Sequence, residues 1–126
     1  MKLHNKLSAY LDQVEQVVTE LPVYVEKYTE EVLTPDRVNL RLRLRFDNGN
    51  LLEFNEAVVV ENDELMTLGY RYHYQNSMNQ LIFRYDDTPH FPELSTFPHH
   101  KHTTSDVVEH CKPQLIDVLQ EANGIR

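Results

Sequence analysis

The sequence predicts an α+β fold: a two-layer domain, with a four- or five-stranded, mostly antiparallel sheet that carries the N-terminal and C-terminal helices on one face. Three observations predict it. Apolar residues recur at helical spacing near both ends of the chain. Between them, runs of apolar–polar alternation are separated by short polar turns. The length of 126 residues suits one core, hence a single domain over 1–126.

The first helix rests on Leu3, Leu7, Tyr10, Leu11, Val14, Val17, Val18 and Leu21, and Pro22 stops it. Val23 to Leu33 is rich in β-branched and Tyr residues and reads as a strand, although its alternation is poor. Val38, Leu40, Leu42, Leu44 and Phe46 alternate with Asn39, Arg41, Arg43 and Arg45, which makes the cleanest strand. Asp47-Asn48-Gly49 then turns the chain. A three-residue loop with Gly49 left-handed sets Leu44 opposite Leu52, Leu42 opposite Phe54 and Arg43 opposite Glu53. A two-residue turn would mix the faces.

In that register Glu56 shares the apolar side with Leu52, Phe54, Val58 and Val60. A bulge or strand end that returns Glu56 to water is the plain explanation, and a site carboxylate with a raised pKa is the functional one. Glu61 to Glu64 turns the chain again. Met66, Leu68, Tyr70, Tyr72 and Tyr74 then define a Tyr-rich inner face, followed by Leu81, Phe83 and Tyr85 on the next strand. Asp87 to His102 holds Pro89, Pro92 and Pro98 and reads as a long irregular loop. The last helix is expected from about Ser105 to Ala122, kinked at Pro113, with Cys111 buried on its stripe.

Composition removes several classes. A disulfide scaffold, a collagen-like chain and a disordered tract do not fit. No apolar run approaches the roughly 20 residues of a membrane span, and no apolar signal region follows the N-terminus. The lone Cys111 suits a reducing, cytoplasmic setting. The net charge of -8 argues against indiscriminate nucleic-acid binding. The charge is uneven, however. Residues 1–36 sum to -4, whereas residues 37–60 sum to +1.

If helices cover the apolar face, the other face holds Arg41, Arg43, Arg45, Glu53, Arg71, His73, Gln75, Arg84 and Asp86. A solvated face with Arg43 paired to Glu53 is the plain reading. A face that binds phosphate through Arg41, Arg43, Arg45, Arg71 and Arg84 is the sharper one, because Arg binds phosphate in a bidentate manner and stacks on bases.

Of 7 His, five lie between His73 and His102. Three chemistries compete for them. A metal site is one, although Cys or i,i+4 spacing is missing, so neither metal nor cofactor is expected. Metal-independent RNA cleavage is another. There His73, His90, His99, His100 and His102 are the acid/base candidates, Lys101 stabilises charge and Glu56 is a further base. In the third the loop is structural, with imidazoles packed between prolines.

The stretches Tyr70-Arg71-Tyr72-His73-Tyr74-Gln75, Leu81-Ile82-Phe83-Arg84-Tyr85-Asp86, Pro89-His90 and Thr96-Phe97-Pro98-His99-His100-Lys101-His102 resemble the TumE family over roughly residues 20 to 120. Arg41 to Glu56 is similar as well. Phe91 stands where a second His is frequent in that family, which leaves His90 to carry any role there alone. The resemblance implies a toxin of a bacterial or archaeal toxin–antitoxin system, with a cognate helix-turn-helix antitoxin as partner. It supplies no reaction. An endoribonuclease acting on RNA rests on the residues, and a non-catalytic binding module or a metal-dependent His-site enzyme are the alternatives.

Overall fold

The computed structural model describes residues 2–125. Helix α1, Asn5–Thr19, and helix α2, Leu115–Gly124, accompany seven strands: β1 Val23–Thr34, β2 Arg37–Phe46, β3 Leu51–Glu61, β4 Glu64–Gln75, β5 Leu81–Asp86, β6 His100–His102 and β7 Val107–Glu109. The strands form one antiparallel sheet in sequence order from β1 to β7. The α+β class and the first helix agree with the sequence, but the sheet has seven strands instead of four or five. No helix is long and apolar enough to cross a membrane.

The core lies between the helices and one sheet face. Leu7, Leu11, Val14 and Val18 of α1 and Leu115, Val118, Leu119 and Ala122 of α2 pack onto Leu40, Leu42, Leu44, Phe54, Tyr72, Tyr74 and Phe83. Tyr72 stacks on Phe54 with ring centroids 4.3 Å apart. Tyr74 donates its hydroxyl to the Ala122 carbonyl at 3.0 Å, which ties α2 to β4.

The β2–β3 hairpin has the expected register, with Leu44 opposite Leu52, Arg43 opposite Glu53 and Leu42 opposite Phe54. Gly49 takes a φ of +88°, as the three-residue loop requires. A Cβ there would also lie 2.9 Å from the Ser77 Cβ. Gly49→Ala is therefore expected to cost about 1–3 kcal/mol. That appears as a lower urea midpoint with an unchanged slope.

Three expectations need correction. β4 does not keep one alternation throughout. Its register against β3 shifts between Ala57 and Val58, with Ala57 opposite Gly69 and Val58 opposite Thr67, so Leu68 is an extra residue. The bulge reverses the parity beyond it, and Met66 and Leu68 are 44% and 47% exposed instead of internal. Residues 107–109 form β7 and not the start of a helix, because β-branched Val107 and Val108 pair with β6. The helix begins only at Leu115, past Pro113, with Gln114 at its N-cap. Cys111 thus lies before the helix and is exposed.

Antiparallel pairing aligns the helix-free face into cross-strand rows. One row runs Arg41, Asn55, Arg71, Asp86, His100. The next runs Arg43, Glu53, His73, Arg84, His102. Directly opposed residues bring their Cβ atoms to about 4.5–5.5 Å, so each row is a line of touching side chains.

Candidate functional site

The short strand β6 decides which His-loop residues meet. Its period of two sends His100 and His102 to the helix-free face and Lys101 to the other. Opposite Asp86 and Arg84, His100 and His102 complete the two rows. His100 Nε2 lies 2.9 Å from Asp86 Oδ1 and 3.2 Å from His102 Nε2. His102 Nε2 lies 3.7 Å from Asp86 Oδ2, and Arg84 Nε approaches that same oxygen at 3.3 Å. Asp86 Oδ1 also accepts the Thr88 backbone N–H at 3.0 Å. On its far side, the His100 Nδ1–H donates to the Pro98 carbonyl at 3.0 Å. The Phe91 ring stands edge-on to both imidazoles, 4.9 Å and 5.8 Å away between centroids.

Asp86 and His100 are 5% and 1% exposed, so this cluster is internal although it sits on the uncovered face. Above it opens a shallow cleft lined by Arg71, Arg84, His90, His102 and the buried pair. Burial holds His102 below the ordinary imidazole pKa, the Arg84 guanidinium adds to that, and Asp86 opposes it. His90 lines the cleft as an exposed ring with no side-chain hydrogen bond or ion pair among the described residues.

The arginines divide into two sets. Arg43 and Arg45 are committed: each binds a different oxygen of Glu26, at 2.8 Å and 2.9 Å. Arg43 also holds Glu53 at 2.9 Å, and Arg45 donates to the Gly49 carbonyl at 3.0 Å. They brace β1 and the β2–β3 turn. Arg41 and Arg71 are exposed and form no ion pair among the described residues. With Asn55 between them they make a continuous polar track that ends at Asp86. His73 lies beside the track, its Nε2–H donating to Gln75 Oε1 at 3.0 Å. Burial keeps its pKa below the ordinary value.

Lys101, His99 and Glu56 belong to the other face. Lys101 donates to Glu121 of α2 at 2.7 Å and lies over the Tyr85 ring. Burial opposes its charge, but Glu121 and Tyr85 together keep its pKa above the usual lysine value. His99 Nδ1 shares a 2.9 Å hydrogen bond with the Tyr70 hydroxyl. Glu56 is 4% exposed and does not escape to water; the bulge follows it instead. Tyr72 donates to Glu56 at 2.7 Å, and Tyr10 donates to its other oxygen. Lys112 sits over Tyr70 and Tyr72. Burial lowers the Lys112 pKa, partly offset by Glu56. Burial, then Glu56, raises both the Tyr10 and Tyr72 hydroxyls. This is a satisfied polar knot under α1, on the opposite side of the sheet from the cleft.

Sequence reasoning placed Asp86 on the polar face without assigning it to the site. The available signal was its spacing of two from Arg84 on a strand that the histidines join.

One face of the sheet is covered by the helices, and the other presents arginines, imidazoles and a buried carboxylate. The chain belongs to the toxin TumE family, whose family model matches residues 10–125. A toxin family implies a cognate antitoxin as partner. No curated protein and no solved structure matches the chain.

Proposed function

We propose that this chain is the toxin of a prokaryotic toxin–antitoxin pair, that it cleaves RNA in the cleft above Asp86, and that its antitoxin carries a helix-turn-helix domain. The observation supporting this is the convergence of Arg71, Arg84, His90, His102 and the Asp86–His100 pair on one open cleft. The Arg41–Asn55–Arg71 row leads into it. Arg41 and Arg71 hold successive phosphates of a single strand, and Arg84 faces the phosphate that reacts.

The ribose 2′-hydroxyl gives its proton to His90, the one cleft imidazole with both ring nitrogens free among the described residues. The O2′–P bond forms and the P–O5′ bond breaks. The departing O5′ takes a proton from water at the open side of the cleft. The products are a 2′,3′-cyclic phosphate and a 5′-hydroxyl. The guanidiniums of Arg71 and Arg84 hold the charge that builds on the phosphorane. Lys101, on the other face, takes no part, and Arg43 and Arg45 serve the fold.

The test is incubation of the purified chain with RNA and with DNA of the same sequence. RNA is expected to be cut to cyclic-phosphate ends and DNA left intact, since DNA lacks the nucleophile. Arg71→Ala is expected to weaken RNA binding at all sequences and to reduce the salt dependence by about one counterion. Growth arrest that persists in His90→Ala with cellular RNA intact would refute the reading. Arrest that survives loss of the cleft histidines but not of Arg41 and Arg71 would instead mark a non-catalytic binding module.

A further inference from the structure

We infer that Asp86, His100 and His102 form a binding site for one divalent transition-metal ion of the zinc type, open toward the cleft. This rests on the cleft being the site of chemistry, and departs from the metal-free reaction expected from the sequence. The spacing of the histidines conceals the site because the third donor comes from the neighbouring strand.

The geometry comes first. His100 Nε2 lies 2.9 Å from Asp86 Oδ1 and 3.2 Å from His102 Nε2, which in turn lies 3.7 Å from Asp86 Oδ2; with one ligand atom taken from each residue, the three lie within 4.8 Å of one another. A tetrahedron with metal–ligand bonds of about 2.0–2.1 Å has edges of about 3.3–3.4 Å. A side-chain adjustment of an ångström or so brings one atom of each residue to the spacing that one ion imposes, with a fourth corner free. All three belong to the same compact group, each offering one ligand atom.

Proton accounting comes next. Because the His100 Nδ1–H donates to the Pro98 carbonyl, the neutral ring presents the lone pair of Nε2 to the cluster. That lone pair faces a carboxylate oxygen and the Nε2 of His102. With the His102 proton on Nδ1, three acceptors point at one another and repel unless something positive lies between them. A metal ion satisfies all three together. The rivals are a proton that makes His100 an imidazolium against Asp86 and a His102 Nε2–H that donates to His100 Nε2.

The surroundings favour the ion. A backbone carbonyl behind the second ring nitrogen is how metal-ligating imidazoles are oriented. Phe91 fixes both rings from the side. The Thr88 N–H and Arg84 fix the carboxylate, one at each oxygen. A 1%-exposed imidazole with both nitrogens engaged is badly placed to exchange protons with a substrate, but well placed as a ligand. Two imidazoles and a carboxylate with an open position form a donor set suited to zinc and its neighbours. The open corner faces the space between Arg71, Arg84 and His90, where a phosphoryl oxygen or water completes the coordination.

The experiment uses the full chain without any histidine tag, loaded with Zn²⁺ or Co²⁺ and freed of excess by dialysis. Elemental analysis is expected to find one zinc per chain, and the cobalt form to show the visible bands of tetrahedral coordination. His102→Gln and Asp86→Asn are expected to lose both signals, whereas His110→Ala keeps them. Far-UV spectra confirm that each variant folds, and His102→Gln, at a partly exposed position, covers the case in which Asp86→Asn does not. Absence of bound zinc and of cobalt bands in the folded parent chain overturns the inference, as does their persistence in His102→Gln. RNA cleavage at an undiminished rate after metal removal also overturns it, while leaving the proposed function standing. Stoichiometric metal without RNA cleavage does the reverse.

Discussion

Replacing His100 and His102 together by alanine is expected to abolish growth arrest while the chain still folds. The two rings are the floor of the cleft, and with Asp86 they are its only strongly convergent polar cluster among the described residues. Removing them takes away the groups that fix Asp86 from the β6 side and leaves the carboxylate with Arg84 and the Thr88 N–H. A loss of roughly a hundredfold in RNA cleavage follows, because Arg84, which faces the reacting phosphate, is positioned through Asp86 and the two rings. Stability should change much less than activity, because the β5–β6 ladder is made by backbone groups that alanine keeps. His102→Ala alone is the cleaner variant, since His102 is partly exposed whereas His100 is internal. The measurements are colony growth after induction, cleavage of RNA and a thermal melt. Full growth arrest in a folded double variant would remove the cluster from the mechanism altogether.

Tyr72→Ala is expected to have the largest effect on stability. The ring is fully buried, stacks on Phe54 and donates to Glu56, so its loss empties a cavity and strips a partner from an internal carboxylate. Large aromatic truncations cost about 3–5 kcal/mol. That takes up much of the 5–15 kcal/mol typical of a domain. Tyr72→Phe keeps the ring and removes only the hydroxyl, so its cost should be about 1–3 kcal/mol. Urea unfolding of the two variants measures the difference. If they lose equal stability, the Glu56 hydrogen bond and not packing dominates at this position.

The parts of the fold that could be read in the sequence were those with a single consistent signal. The β2–β3 register follows because both strands alternate and only one loop length matches their faces, and pairing of Leu44 with Leu52 confirms it. The β4 bulge could not be read, since Met66 and Leu68 continue the apolar alternation of Tyr70 to Tyr74 while the backbone adds a residue. The C-terminal helix was drawn too long because Val107, Val108 and Cys111 fall at helical spacing from Leu115. Tertiary pairing with β6 overrides that pattern. For the candidate site, histidine density pointed to residues 99–102, but the three prolines masked a three-residue strand. Without that strand, its alternation could not separate His100 and His102 from Lys101. Asp86 looked like one more solvated carboxylate until β6 placed His100 opposite it.

Because each strand of the sheet pairs with its neighbour in sequence, the fold can be built hairpin by hairpin, and loop closure costs stay small. The order of assembly then matters for a protein that harms its own cell. Asp86 belongs to the fifth strand and both histidines to the sixth, so a chain still emerging from the ribosome can form its β1–β4 sheet before it has the proposed site. A product that ends before His100 carries the arginine track without the histidine cluster.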